Sequence, residues 1–142
     1  MWTTNYTAET SATSTDVWDA LRALHSGIAL GPASDKFELH GPFAVGTQVT
    51  VTPRGQDPMK SIITELEPGL VYADQTSFGE LLLTFRHQLR TTQAGGTTVT
   101  HTLEITGTGS DQVGPELGPQ ISGDFPIAMA ELIASAESGV RV

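Results

Sequence analysis

A chain of 142 residues with a formal net charge of −9 has the length of one domain and the wrong charge for a nucleic-acid or anionic membrane surface. Its seven Lys and Arg residues are scattered, and the lack of cysteine excludes disulfides, thiolate metal sites and cysteine nucleophiles. We therefore predict one domain over residues 1–142, with no nucleic-acid partner and no membrane insertion. The opening segment MWTTNYTAET lacks the features of a signal peptide, so we expect a cytoplasmic protein.

The first elements are a strand and a short helix. Residues 2–9 alternate with period two, which is typical of a strand. In the segment TSTDVWDALRAL, Thr13 or Ser14 can cap a helix, and apolar side chains recur at helical spacing at Val17, Leu21 and Leu24. Residues 26–35 are rich in Gly, Ala, Ser and Pro, and this composition is compatible with a loop or with a second short helix.

Six strand-like runs follow, separated by turn sequences such as HGPFAVG, PRGQDP and QAGG. They cover residues 36–40, 47–53, 60–67, 70–77, 80–91 and 97–107. Strands joined by such short links predict an antiparallel meander.

The C-terminal part predicts a helix that starts after Asp124. Pro126 falls in its first turn, and its apolar residues recur at helical spacing. Pro115, Pro119 and Gly123 precede it and predict a broken or kinked approach. Because the strands need an apolar partner, we expect the sheet to curl around this helix.

Two of the four histidines occupy equivalent places on neighbouring strands. The odd-numbered residues are apolar over 81–89, apart from His87, and over 99–105, apart from His101, so both histidines belong to the buried face. A hairpin turning around 93–95 pairs residues whose numbers sum to about 188. This register places His87 opposite His101, and their Cβ atoms would then lie roughly 5 Å apart.

Two imidazoles facing inward should both resist protonation, because burial and mutual repulsion oppose the charge. Each could be a core histidine satisfied by a backbone carbonyl, a hydroxyl or a water. As a pair on a concave face, they could instead contact a ligand. A metal site would need a third ligand such as His40, Asp74 or Glu65, and no characteristic ligand spacing occurs, so no metal is predicted.

The sequence does not decide which face of strand 70–77 points towards the interior. If the SFGE turn is a two-residue loop, the even-numbered residues join the buried face, and Tyr72 and Asp74 become cavity candidates. For Asp74 the favoured interpretation remains a solvated strand residue, because aspartate is seldom buried without a partner.

The order of elements resembles the helix-grip fold of the SRPBCC superfamily, which includes START lipid-transfer domains and the birch-pollen-allergen group. The segments that carry the resemblance cover nearly the whole chain: STDVWDAL, HGPFAVGTQVTVTP, ITELEPGLVY, GGTTVTHTLEITG and PIAMAELIASAE. The sequence is most similar to the small bacterial polyketide cyclase/dehydrase-like members. The resemblance implies an α+β fold, with a curved antiparallel sheet of six to seven strands wrapped around a long C-terminal helix.

The resemblance also implies a cavity between sheet and helix for a small hydrophobic or aromatic molecule, polyketide-like or lipid-like. Core packing alone would explain each apolar residue on its inward faces. The candidate lining residues are Tyr72, Phe85, His87, Leu89, Val99, His101, Leu103, Phe125, Met129, Leu132 and Ile133.

Binding of such a ligand without turnover is the leading functional prediction. The alternative is a cyclase or dehydratase in which His87 or His101 moves a proton and Asp74 or Tyr72 orients the base or polarises a carbonyl. A module that interacts through its surface is a weaker third class. No cofactor is predicted, and a homodimer is left open.

Overall fold

The computed structural model describes residues 1–138; residues 139–142, the end of the predicted domain, lie outside the described residues. Within these described residues, ten elements follow one another. They are β1 (Trp2–Thr10), α1 (Ser14–His25), β2 (Lys36–Leu39), β3 (Gln48–Thr52), β4 (Met59–Glu67), β5 (Val71–Phe78), β6 (Leu81–Thr91), β7 (Thr97–Gly107), α2 (Ser110–Ser122) and α3 (Phe125–Ser138).

The described strands form one seven-stranded sheet in the order β1-β7-β6-β5-β4-β3-β2. Every neighbouring pair is antiparallel, and β1 joins the meander by pairing with β7. Helix α2 packs on β1 and β7 and α3 packs on β1, whereas α1 packs on α3 and reaches β2 and β6. The predicted α+β helix-grip architecture is confirmed.

Helix α1 begins where the sequence predicts and ends one residue later. The Thr13 hydroxyl accepts the Asp16 N–H at 3.2 Å and so caps the first turn. The buried face repeats every four residues at Val17, Leu21 and His25. Residues 26–35 contain turns and irregular backbone, so the choice left open by the sequence is decided in favour of a loop.

Helix α2 confirms one part of the prediction for the segment before the last helix and corrects another. The predicted break is present at Gly123, between α2 and α3, whereas Pro115 and Pro119 lie inside a 13-residue helix and do not interrupt it. Both prolines lie on the exposed face, where the carbonyls that lose a helical partner remain open to water. On the buried face, Gly114 and Gly118 receive the indole of Trp2, which stabilises α2 against β1.

The core consists of two clusters of buried side chains. The larger one joins α1 and α3 to the middle strands and contains Val17, Trp18, Leu21, Val99 and Leu132, among others. The smaller one joins β6 and β7 to α2 and α3 and contains Leu83, Leu103, Ile105 and Phe125. None of the helices within residues 1–138 is both long and apolar enough to cross a bilayer.

Candidate functional site

A cavity of about 460 Å³ lies between the concave face of the sheet and the three helices. Its apolar wall comes from every helix and from β2 to β6. Apolar side chains that line it include Leu24, Leu30, Phe37, Val51, Met59, Leu83, Phe85, Leu117, Ile121, Phe125, Met129 and Leu132. A void of this size is within the range that holds a small organic molecule.

His87 and His101 are directly opposite on β6 and β7, as the predicted register requires. Their rings stack with centroids 3.9 Å apart and planes inclined by 22°. The ring of His101 also stacks on Phe125 at the start of α3, with centroids 3.8 Å apart. The hairpin and the last helix therefore build a column of three flat rings in the cavity wall.

Both imidazoles of the pair are uncharged at neutral pH. Burial, together with the neighbouring imidazoles His101 and His25, holds the pKa of His87 well below its ordinary value of 6.5. Burial and the proximity of His25 lower the pKa of His101 to about 3. The direction agrees with the prediction from sequence, because desolvation and a nearby potential charge both disfavour the imidazolium.

Neither ring of the pair forms a hydrogen bond with any residue in the range 1–138. In each ring one nitrogen is completely enclosed, namely Nδ1 of His87 and Nε2 of His101. The nitrogens that remain for a molecule in the cavity are therefore Nε2 of His87 and Nδ1 of His101. Buried polar atoms usually have partners, so two rings without one indicate a site for a polar group of a ligand.

His25, at the end of α1, is a site residue that the sequence analysis missed. Its ring lies 5.5 Å from that of His87 and 4.0 Å from that of Tyr72, between centroids. Its Nδ1–H donates to the carbonyl of Leu21 at 2.8 Å, and burial lowers its pKa to about 4. The available signal was its four-residue spacing from Leu21, which places it on the buried face of the helix.

Tyr72 and Asp74 lie on the inner face of β5 and both line the cavity. The Tyr72 hydroxyl donates to Oδ2 of Asp74 at 2.8 Å. Burial raises the pKa of Asp74 to about 7, although the hydrogen bond from Tyr72 opposes this shift, and burial also raises the pKa of Tyr72. The expectation that Asp74 is solvated was wrong: it is 4% exposed, and the tyrosine hydroxyl provides the partner that a buried carboxyl needs.

The structure separates the other predicted lining residues into two groups. Phe85, Phe125, Met129 and Leu132 line the cavity together with the histidines, Tyr72 and Asp74. Four residues lie in the core clusters instead, because they face the packed interior beyond the cavity: Leu89, Val99, Leu103 and Ile133.

A polar rim is contributed by two segments that the sequence did not connect. Ser34 and Asp35 come from the loop before β2, whereas Asp124 and Glu131 come from the break before α3 and from α3 itself. The Glu131 carboxylate accepts the Ala33 N–H at 3.0 Å and the Ser34 hydroxyl at 3.3 Å, which ties the loop to the helix. Within the described residues, no cluster of three His, Asp or Glu side chains has a geometry that could hold a metal ion.

Neither the protein-family models nor the curated protein sequences match this chain. Solved structures do. Norcoclaurine synthase from Thalictrum flavum, in complex with dopamine and hydroxybenzaldehyde, has a TM-score of 0.71 and 16% identity over 99% of this chain and 88% of its own. The Zhui aromatase/cyclase from Streptomyces sp. R1128 has a TM-score of 0.71 and 16% identity, over 99% of this chain and 96% of its own. Ara h 8.0201 has a TM-score of 0.67 and 17% identity, over 96% of this chain and 97% of its own.

At these identities the neighbours establish the fold and leave the activity open. They include two enzymes of different chemistry and an Ara h 8 protein, and the three share the arrangement of sheet and helices described above. The chain has the helix-grip fold, as its sequence segments predicted.

Proposed function

We propose that this protein binds a small hydrophobic or aromatic molecule, polyketide-like or lipid-like, in the cavity between the sheet and the helices. The observation that carries the proposal is the pair His87 and His101, two buried side chains without hydrogen-bond partners among residues 1–138, in a cavity wall that is mostly apolar. A ligand carbonyl or hydroxyl can complete their hydrogen bonding, while its apolar body fills the remaining volume.

A second candidate function is a cyclase or dehydratase, and the pair Tyr72 and Asp74 favours it. General acid–base catalysis works best when the pKa of the group lies near the working pH. The pKa of Asp74 is about 7, whereas those of the three cavity histidines lie well below neutrality. In this function Asp74 takes a proton from the carbon next to a ligand carbonyl, a neutral imidazole donates a hydrogen bond to that carbonyl, and a β-hydroxyl leaves as water with a returned proton.

Amide substitutions separate the two functions. Gln at position 87 places an amide near the former Nε2, and Asn at position 101 places one near the former Nδ1, so hydrogen bonding is kept while proton transfer is lost. For a carrier, His87→Gln and His101→Asn should retain ligand affinity within a few-fold, whereas the Ala variants lose it. For an enzyme in which Asp74 is the base, Asp74→Asn should bind substrate but lose turnover, whereas His87→Gln and His101→Asn should keep much of it. Loss of turnover in these two amide variants would assign proton transfer to the imidazoles instead.

The experiment begins with native mass spectrometry of protein purified gently from its source, followed by identification of any released molecule. That molecule is then titrated into the wild type, the two amide variants, the two Ala variants and Asp74→Asn. His40→Gln is the matched control, because His40 is exposed and bonded to Thr50 outside the cavity. Unchanged affinity and unchanged turnover in both Ala variants would remove the histidine pair from the site.

A further inference from the structure

Charged groups are distributed unevenly around the cavity. Its wall includes four carboxyl groups, from Asp35, Asp74, Asp124 and Glu131. Within residues 1–138 no lysine or arginine lines it. The three cavity histidines do not compensate, since burial keeps their rings neutral at pH 7. Any charge in this wall is therefore negative.

The carboxyl groups differ in what they already bind. Glu131 holds the loop at Ala33 and Ser34, and Asp74 accepts the Tyr72 hydroxyl. In the part of the chain that the structure describes, neither Asp35 nor Asp124 forms an ion pair. Burial raises the pKa of both; at Asp35 the Arg54 N–H, which donates to Oδ1 at 3.3 Å, opposes this shift, and the charge of Asp124 adds to it. Two carboxyl groups that repel each other across a cavity rim are stabilised by a cation placed between them.

The histidine pair in this wall requires a different kind of group. Nε2 of His87 and Nδ1 of His101 are uncharged and unpartnered within the described residues, as shown above. They suit an uncharged carbonyl, hydroxyl or phenol rather than an ion. Apolar side chains, including Phe37, Phe85 and Met129, line the same cavity. The cavity therefore offers a hydrophobic wall as well as these two kinds of polar group.

We propose that the ligand of this cavity is a hydrophobic or aromatic amine, with its ammonium group between Asp35 and Asp124 and an uncharged end at His87 and His101. The inference rests on the proposed ligand-binding function and specifies its ligand class. Fatty acids, acyl phosphates and other anionic ligands are disfavoured, because they would leave water for a wall without a positive group. The net charge of −9 adds a long-range attraction for cations.

Three probes of one shape test the ligand class: 2-(1-naphthyl)ethylamine, 2-(1-naphthyl)ethanol and 1-naphthylacetic acid. Each is titrated calorimetrically into the protein at pH 7 in low salt. We expect the amine to bind roughly tenfold more tightly than the acid, with the alcohol between them, as a partly desolvated ion pair predicts. In Asp35→Asn/Asp124→Asn the advantage of the amine over the alcohol should disappear, while the affinity for the alcohol stays the same and shows that the cavity is intact.

The control variant Glu67→Gln/Glu116→Gln changes the net charge equally through two exposed carboxylates outside this cavity, and it should keep the preference for the amine. Binding of the acid as tightly as the amine would overturn the inference and leave the proposed function standing. The inference is also overturned, with the proposed function left standing, if the preference for the amine over the alcohol survives in Asp35→Asn/Asp124→Asn. It is overturned likewise if the control variant loses this preference to the same extent. If none of the three naphthalene probes binds, the proposal of a hydrophobic ligand site and the inference built on it are both contradicted.

Discussion

The imidazole of His101 stacks between the ring of Phe125 and that of His87, at centroid distances of 3.8 and 3.9 Å. The contact with His87 follows from strand register, and the contact with Phe125 follows from where α3 begins. Two unrelated parts of the chain therefore fix one ring, which keeps its accessible nitrogen at a defined place in the cavity wall. A preorganised polar group of this kind can orient a ligand without losing much side-chain entropy on binding.

The neutral histidines should make the folded state sensitive to acid. Because the pKa of His101 falls from 6.5 to about 3 on folding, the unfolded chain binds a proton that the folded chain does not between those values. Stability is therefore lost as the pH falls from 6.5 towards 4, by about 1 kcal/mol per pH unit for each such group. His101→Phe preserves a stacked ring and should reduce this dependence. Urea unfolding at pH 4.5, 5.5 and 6.5 measures it.

The reference for that experiment is His40→Gln, which removes an imidazole from the surface. A difference in unfolding free energy between wild type and His101→Phe that stays constant over the three pH values would contradict the prediction. His87→Phe should behave like His101→Phe, since the pKa of His87 is lowered in the same direction by burial and by its neighbours.

The buried carboxyl of Asp74 should make the folded state less stable as the pH rises, which is opposite to the effect of the histidines. Its pKa is about 7 in the folded protein and 3.8 without perturbation, so between these values the unfolded chain is ionised while the folded chain keeps its proton. The contribution of Asp74 to stability is present below pH 4 and is lost as the pH rises to 7. Asp74→Asn should thus gain stability relative to wild type over this interval, on the order of 1 kcal/mol per pH unit.

Removal of the Tyr72 hydroxyl should raise the pKa of Asp74 further. The hydroxyl donates to Oδ2 at 2.8 Å and favours the ionised form, whereas burial opposes it. Tyr72→Phe keeps the ring but removes the donor. A carbon-13 NMR titration of the labelled Asp74 carboxyl compares the two proteins, and an equal or lower pKa in Tyr72→Phe would show that the hydrogen bond does not stabilise the charge.

A methyl group added to α2 at Gly118 should destabilise the protein. The Cβ would overlap the ring of Trp2, which packs directly on this glycine. We expect Gly118→Ala to lower the free energy of unfolding by about 1 to 3 kcal/mol, as overpacking does elsewhere. In a Trp2→Ala background the clash is absent, and the same change should stabilise α2 by up to about 1 kcal/mol. A double-mutant cycle in urea gives both values, and a loss of equal size in both backgrounds would rule out the Trp2 contact as the cause.

Glu131 should determine how firmly the loop before β2 is held at the cavity rim. In Glu131→Ala the Ala33 N–H and the Ser34 hydroxyl lose their acceptor, at a cost of about 1 to 2 kcal/mol. Gly31→Ala should have a similar effect, because its Cβ would meet the Glu131 carboxylate. Hydrogen exchange at Leu30, Gly31 and Ala33 should accelerate in both variants and remain unchanged in Glu116→Ala, which alters an exposed carboxylate on α2. Equal exchange in Glu131→Ala and wild type would contradict this role.

Patterns along the chain were sufficient to predict the sheet and the pairing of the two histidines. Period-two alternation and short turns fixed the faces and the register of β6 and β7, since a slip of one residue would expose every apolar side chain. The pairing of His87 with His101 followed directly. Predicted burial was also sufficient for the direction of their pKa shifts, because desolvation does not depend on the details of packing.

The contacts between distant segments were decided only by the tertiary structure. Trp2 packs against two glycines of α2 more than 100 positions away, and this helix continues through Pro115 and Pro119, where the sequence predicted interruptions. The burial of Asp74 depends on the hydroxyl of Tyr72, and the entry of His25 into the site depends on where α1 lies against the sheet. The acidic rim forms when the loop before β2 meets α3. Local periodicity determines which face of an element is buried, but only the packing of elements determines which polar groups meet there.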